Sequence, residues 1–339
     1  MLRLDDRWIW DFWLTRDGPD HHVFFLQAPR ALGDPELRHA NASIGHAVST
    51  DLTTWAVLPD ALSRDAPGSW DDRALWTGSV VRYDGTWYLF YTGTSNGDGG
   101  LVQRIGAAVS DDLVNWRRHR ANPLIGPERR WYERSDHTAW LDEAWRDPWV
   151  FRPPGGDEHV ALITARARTG PPDGRGAIAV ARSADLVRWD VGPPVFAPGE
   201  FGELEVPQVV PLAGRWYLLF SVPDRAHGRR WRDRTGQVPR STVYYVAGDG
   251  PTGPFVGPAR PVLSGDGADE LYAGKLVEDG AGAWWFLAAR FARSGGAFIG
   301  ELTDPVPVAV GPDRNLVVNA WAPASSAGGG GTATNAGVR

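Results

Sequence analysis

The 339-residue chain has no cysteine, which excludes disulfides and thiolate metal ligands and agrees with a reducing compartment. It has one lysine, Lys275, against 34 arginines. Such an excess reads as codon bias toward arginine, so the single retained lysine is the more informative residue. No run of about 18 apolar residues occurs, which excludes a membrane-spanning helix. Residues Met1 to Arg7 lack the apolar stretch of a secretory signal and lead straight into Trp8-Ile9-Trp10, so the chain reads as cytoplasmic. The net charge of -6 comes without clusters of basic residues, which argues against a nucleic-acid partner. Hydrophobic residues at 42% and charged residues at 22% are ordinary globular values and exclude disorder.

What the chain does have is 18 Trp, 41 Gly and 27 Pro, the composition of many short strands joined by tight turns. A β-type run recurs five times: His22 to Leu26, Trp87 to Tyr91, His159 to Ile163, Trp216 to Phe220 and Trp284 to Leu287. Each is followed by a second strand: Ile44 to Ser49, Ile105 to Ser110, Ile178 to Ser183, Val243 to Gly248 and Phe298 to Thr303. Each is preceded by a third: Trp8 to Trp13, Leu75 to Arg82, Trp145 to Arg152, Glu203 to Val210 and Leu271 to Glu278. After the first three units comes Ser-x-Asp-Leu-x-x-Trp, at Ser49, Ser110 and Ser183, where Ser and Asp suit the turn backbone and Leu and Trp suit packing between repeats. With a variable fourth strand near Trp55 or Trp116, the unit is a four-stranded antiparallel blade. Five such units predict an all-β fold, a single five-bladed β-propeller over residues 1–319 without a C-terminal β-sandwich. Residues 320–339, rich in Gly, Ala and Ser, read as a flexible tail.

In a propeller the leading strands of all blades line one central channel. Three of these strands carry an acid among apolar or aromatic neighbours: Asp11, Asp147 and Glu205. Any one of them could be a strand-end residue satisfied by backbone amides or arginine. Three like charges converging in one funnel destabilise a fold, so chemistry is the expected reason for keeping them. Two carboxylates flanking one bond are what glycosidic cleavage requires. Trp10, Trp13, Trp76 and Trp149 are candidate stacking faces for a sugar ring.

Four segments carry a family resemblance: Leu75-Trp76-Thr77-Gly78-Ser79-Val80, Gln103 to Leu113, Arg146-Asp147-Pro148 and Glu205-Val206-Pro207. They resemble the clan of glycoside hydrolase families 32 and 68, which holds invertases, levanases, inulinases and levansucrases. The likeness runs in order from residue 8 to about 310. It implies a retaining mechanism with Asp11 as nucleophile, Asp147 as transition-state stabiliser and Glu205 as acid/base. It further implies that Arg146 steers Asp147 and binds the sugar, that Trp76 and Ser79 belong to the pocket wall, and that Glu203 contacts the acceptor side. Trp10-Asp11-Phe12-Trp13 departs from the Asn-Asp-Pro-Asn of family 32 and is closer to the Trp-Asp-Ser-Trp of family 68.

Gln27 at the end of the first run, Arg225 after the fourth, and Tyr272 and Lys275 on the fifth leading strand complete the substrate-binding candidates, together with Trp10. His21, His22 and His227 have no partner at metal-ligand spacing, so neither a metal nor another cofactor is expected. The expected partner is a small carbohydrate, with no nucleic acid and no membrane. The expected activity is release of terminal β-fructofuranosyl units from sucrose or short fructo-oligosaccharides. Fructosyl transfer, an arabinofuranosidase or xylosidase activity, and a non-catalytic sugar-binding propeller stand as alternatives.

Overall fold

A computed structural model describes residues 1–136, 140–263, 269–293 and 296–318; the expected tail lies outside them. The described chain forms five antiparallel sheets arranged as consecutive blades. Blade I is β1 (Arg7–Asp17), β2 (Asp20–Pro29), β3 (Ser43–Ser49) and β4 (Ala56–Val57). Blade II is β5 (Ala74–Tyr83), β6 (Thr86–Thr94), β7 (Arg104–Ser110) and β8 (Arg117–Arg118). Blade III is β9 (Trp145–Phe151), β10 (His159–Arg166), β11 (Gly176–Ser183) and β12 (Asp190–Val191). Blade IV is β13 (Glu205–Leu212), β14 (Arg215–Val222), β15 (Thr242–Gly248) and β16 (Phe255–Pro261). Blade V is β17 (Asp269–Glu278), β18 (Trp284–Arg293), β19 (Phe298–Leu302), β20 (Val306–Val310) and β21 (Leu316–Val318).

Blade V therefore has five strands where four were expected. Strand β18 is long enough to pair with β19 along one half, at Ala289 to Ala292, and with β20 along the other, at Trp285 and Phe286. The ring closes through Leu2, whose carbonyl accepts from Leu302 N at 2.9 Å, joining the start of the chain to blade V.

The repeated seven-residue motif forms the turn leading to the outer strand. In blade I, Asp51 Oδ1 accepts from Thr53 N at 2.8 Å, Thr54 N at 2.7 Å and Ser49 Oγ at 2.9 Å. The same bonds recur around Asp112 and Asp185. Each turn places its leucine, Leu52, Leu113 or Leu186, in the left-handed region and buries it. The following Trp reaches the preceding blade: Trp116 meets Phe24 edge-on at 5.8 Å and Trp189 meets Phe90 at 5.6 Å. Ordering the turn thus aims an aromatic anchor between blades, where buried apolar area stabilises the ring.

All five inner strands carry a bulge at the same level. Pairing skips one residue at Asp11 in β1 and at Thr77 in β5. It sets Asp147-Pro148 against Ile163, Val206-Pro207 against Phe220, and Ala273-Gly274 against Ala288. A bulge bends its strand and re-aims the side chains around it, which is why bulges gather beside active sites. In β5 the bulge requires Gly78, since a Cβ there would lie 1.8 Å from Phe90 O.

Candidate active site

The bulges arrange the channel in layers. Trp10, Trp76, Arg146, Glu205 and Tyr272 precede the bulges on the five strands. Asp11, Thr77, Asp147, Val206 and Ala273 are the bulge residues. One step farther along lie Trp13, Ser79, Trp149, Gln208 and Lys275, each three residues beyond its first-layer residue. The first two layers hold the three expected catalytic acids.

Asp11 Oδ2 accepts from Thr77 Oγ1 at 3.0 Å, while the buried Oδ1 has no hydrogen-bond partner among the described residues. Burial, reinforced by the charges of Asp147 and Glu205, pushes the Asp11 carboxyl up to about 7. Asp147 has φ 57°, and its N–H is held by Thr92 Oγ1 of blade II at 3.0 Å. Asp147 Oδ2 accepts from Thr164 Oγ1 at 2.9 Å and from Val206 N of blade IV at 3.0 Å. Burial raises Asp147 to about 6 against the opposing pull of Arg146, whose Nε lies 3.8 Å from Asp147 Oδ2. The hydrogen bonds from Val206 and Thr164 reduce the effect of desolvation without cancelling it.

Arg146 ties the site together. Its Nη2 donates to Glu205 Oε1 at 2.6 Å and Glu203 Oε1 at 2.9 Å, and its Nη1 to Gln103 Oε1 at 3.1 Å, with Asp142 Oδ2 at 3.5 Å. Burial works against the Arg146 charge, but Glu205, Asp142, Glu203 and Asp147 outweigh it and keep the guanidinium protonated. The second oxygen of Glu205 accepts from the Tyr272 hydroxyl. Burial and Glu205 push the Tyr272 phenol well above its usual range, so it remains a donor. Glu203 Oε2 accepts from Arg225 Nη2 at 2.8 Å, and Arg225 is half-exposed at the rim.

The fold therefore brings together Asp11, Asp147, Glu205, Glu203, Arg146, Arg225 and Tyr272. Trp76 stands beside them, half-buried, its Nε1 donating to His39 O at 2.8 Å. The other candidates are engaged elsewhere. Trp10 is buried, edge-on to His39 at 6.1 Å and Phe298 at 6.4 Å. Trp13 is buried and stacked on Phe24, so neither ring offers a free face to a sugar. Gln27 is buried and donates to Ser43 Oγ at 3.4 Å. Ser79 Oγ accepts from Val150 N at 2.9 Å, joining blades II and III below the acids. Lys275 Nζ donates to Val206 O at 3.0 Å and Pro207 O at 3.5 Å, and lies 5.5 Å from the centre of the Trp149 ring.

Sequence reasoning missed Thr77, Thr92 and Thr164, which bond Asp11 or Asp147, Ser221, which holds the Ala273 bulge, and Gln103, which holds Arg146. A signal existed for three of them: Thr92, Thr164 and Ser221 each directly follow one of the repeated β-type runs. His39, exposed at the rim beside Trp10 and Trp76, lies in a 3-10 segment outside the repeat and had no such signal.

The model of the glycosyl hydrolases family 32 N-terminal domain matches residues 15–289. The chain belongs to this family. Asp11 lies just ahead of the matched stretch, so its assignment rests on the site geometry and the resemblance around it. Among relatives, β-fructofuranosidase 1 of Zea mays is 30% identical over 208 residues, 60% of this chain and 27% of that protein. The β-fructofuranosidase insoluble isoenzyme 7 of Oryza sativa subsp. indica is 32% identical over 208 residues, 58% of this chain and 30% of that protein. The aligned stretch thus spans less than a third of the length of either relative. An inulosucrase from Halalkalicoccus jeotgali, solved bound to kestose, shares the fold of this family 32 chain. The TM-score is 0.74 at 23% identity, over 93% of this chain and 87% of that one.

Proposed function

We propose that the chain is a retaining β-fructofuranosidase acting on sucrose or short fructo-oligosaccharides. Asp11 attacks the anomeric carbon of the terminal fructosyl unit while Glu205 gives its proton to the departing glycosidic oxygen, leaving fructose esterified to Asp11. Water then attacks the same carbon, its proton passes to Glu205, and Asp11 leaves as the carboxylate. Asp147 accepts hydrogen bonds from ring hydroxyls and stabilises the cationic character of both transition states. The observation that supports this reading most is the placement of Asp11, Asp147 and Glu205 at the bulges of three different blades, with Arg146 joining Glu205 to the edge of Asp147.

Incubation with sucrose, inulin-type and levan-type oligosaccharides and aryl arabinofuranosides tests it. Fructose release, with the β-anomer formed first by NMR, is expected; arabinose release without fructose, or first formation of the α-anomer, would contradict it. A second reading, fructosyl transfer, is favoured by Glu203, held beside Glu205 by both Arg146 and Arg225, where an acceptor hydroxyl could be bound. Under that reading kestose-type products dominate over free fructose at high sucrose, and Glu203→Ala reverses the ratio.

A further inference from the structure

Lys275 is the only lysine of the chain and is buried in the channel layer beneath the acids. A buried ammonium is costly unless its donors are used, and here two are given to the consecutive carbonyls of Val206 and Pro207. Those carbonyls belong to the bulge of blade IV. Val206 adopts φ 53°, a conformation that is strained for a β-branched residue and persists only where its surroundings enforce it. Its N–H donates to Asp147 Oδ2 at 3.0 Å, while its carbonyl accepts from Lys275 Nζ at 3.0 Å. One peptide segment is thus held from below by a cation and from the side by a catalytic acid. The face of Trp149 completes the enclosure of the ammonium.

We propose that Lys275 is a positioning residue: it holds the left-handed Val206 segment from beneath, aims Val206 N–H at Asp147, and sets a positive charge below Asp147 and Asp11 without touching the sugar. This rests on the reading of Asp147 as the stabiliser. The charged and titratable groups facing Lys275 are Asp11 and Asp147 on one side and Arg16, His21 and Glu278 around the cavity on the other. Burial lowers Lys275, Asp147 and Asp11 oppose it, and the balance stands at about 7, so its charge depends on those acids. Both its hydrogen bonds go to backbone carbonyls, which fits a strut better than a sugar ligand.

The test compares the full-length wild type with Lys275→Met, Lys275→Arg and Lys275→Gln. Two readouts are used: steady-state kinetics on sucrose, and the carboxyl titration of Asp147 by carbon NMR. Lys275→Met is expected to lower kcat by about 50-fold or more with KM within about threefold, and to move the Asp147 titration upward. Lys275→Arg, which retains charge and donors, is expected to recover part of kcat. If Lys275→Met does not fold, Lys275→Gln keeps a donor for Val206 O and should show smaller changes in the same directions. A kcat within threefold of wild type, a rise in KM alone, or an unmoved Asp147 titration overturns the proposal. A wild type inactive on every furanoside, but with an Asp147 titration that Lys275→Met shifts, would sink the functional reading and leave the strut standing.

Discussion

The outer turns and the inner bulges use the same strained conformation for opposite ends. Leu52, Leu113 and Leu186 in the turns have φ of 61°, 65° and 62°; Asp147, Val206 and Ala273 in the bulges have 57°, 53° and 50°. Support for each turn is local, from an Asp one residue before the leucine. Support for each bulge crosses blades: Thr92 holds Asp147, Asp147 holds Val206, and Ser221 holds Ala273, over sequence separations of 55, 59 and 52 residues. A turn is therefore complete within its own repeat, whereas a bulge is shaped only once its neighbour is in place. The turns bear on the scaffold alone, whereas the bulges bear on both the scaffold and the proposed site.

Breaking the bulge layer at its proposed nucleophile and acid/base should have the largest effect. Asp11→Asn and Glu205→Gln are each expected to lower kcat by about 10⁴ or more. Asp11→Asn should leave Tm equal or higher, because it removes a desolvated carboxylate that already holds its proton to about 7. Activity in both variants comparable to wild type would remove these residues from the chemistry.

Removing only the cross-blade support should have a smaller effect. Thr92→Val leaves the buried Asp147 N–H without its acceptor, which costs about 1–3 kcal/mol in the melting free energy. With Asp147 displaced, kcat should fall about 10- to 100-fold while KM stays within about threefold. Unchanged kcat in a destabilised protein would reduce the bulge contacts to scaffolding.

The pH dependence sharpens the same contrast. In the proposed mechanism Asp11 attacks as the carboxylate, so the acid limb of kcat/KM should lie near its raised value of about 7, and Asp147→Asn should move that limb downward by removing a like charge. Stability runs the opposite way. The folded state keeps the Asp11 proton to about 7 whereas the unfolded chain releases it near the ordinary aspartate value of 3.8, so between these values the native state binds more protons. Asp11 therefore subtracts stability as pH rises through that window, and Asp11→Asn should flatten the slope. An acid limb near 4, unaltered in Asp147→Asn, would contradict the assignment.

The smallest effect is expected from the turns. Asp112→Ala removes the acceptor for Val114 N and Asn115 N on an exposed turn and should lower Tm slightly with kcat unchanged. A large loss of activity would tie the turns to the site and erase the distinction.

The same locality explains what could be read from the sequence. The Ser-x-Asp-Leu-x-x-Trp turns and the five β-type runs are each complete within a few residues, so the propeller is legible in the linear order. Asp11, Asp147 and Glu205 are legible because each is an acid in an otherwise apolar leading strand. The bulges themselves are not. Inserting a residue after Trp10 breaks the two-residue alternation of β1, so the directions of Trp10 and Trp13 could not be counted from the sequence. Ser79 and Lys275 fall one layer beyond the acids for a similar reason, since their distance from the site depends on where the strand is bent. The hydroxyls of Thr92, Thr164 and Ser221 occupy one repeated position, but what they bind lies on a neighbouring leading strand or beyond its bend.

The measurement that bears most directly on this account is the trapping of the covalent intermediate. Glu205→Gln would be incubated with an activated aryl β-fructofuranoside, quenched in acid, digested and analysed by mass spectrometry. A single hexosyl increment on the peptide that carries Asp11 is the expected result. An increment on the peptides of Asp147 or Glu203, or turnover of the activated substrate with inversion and no labelled peptide, would contradict it.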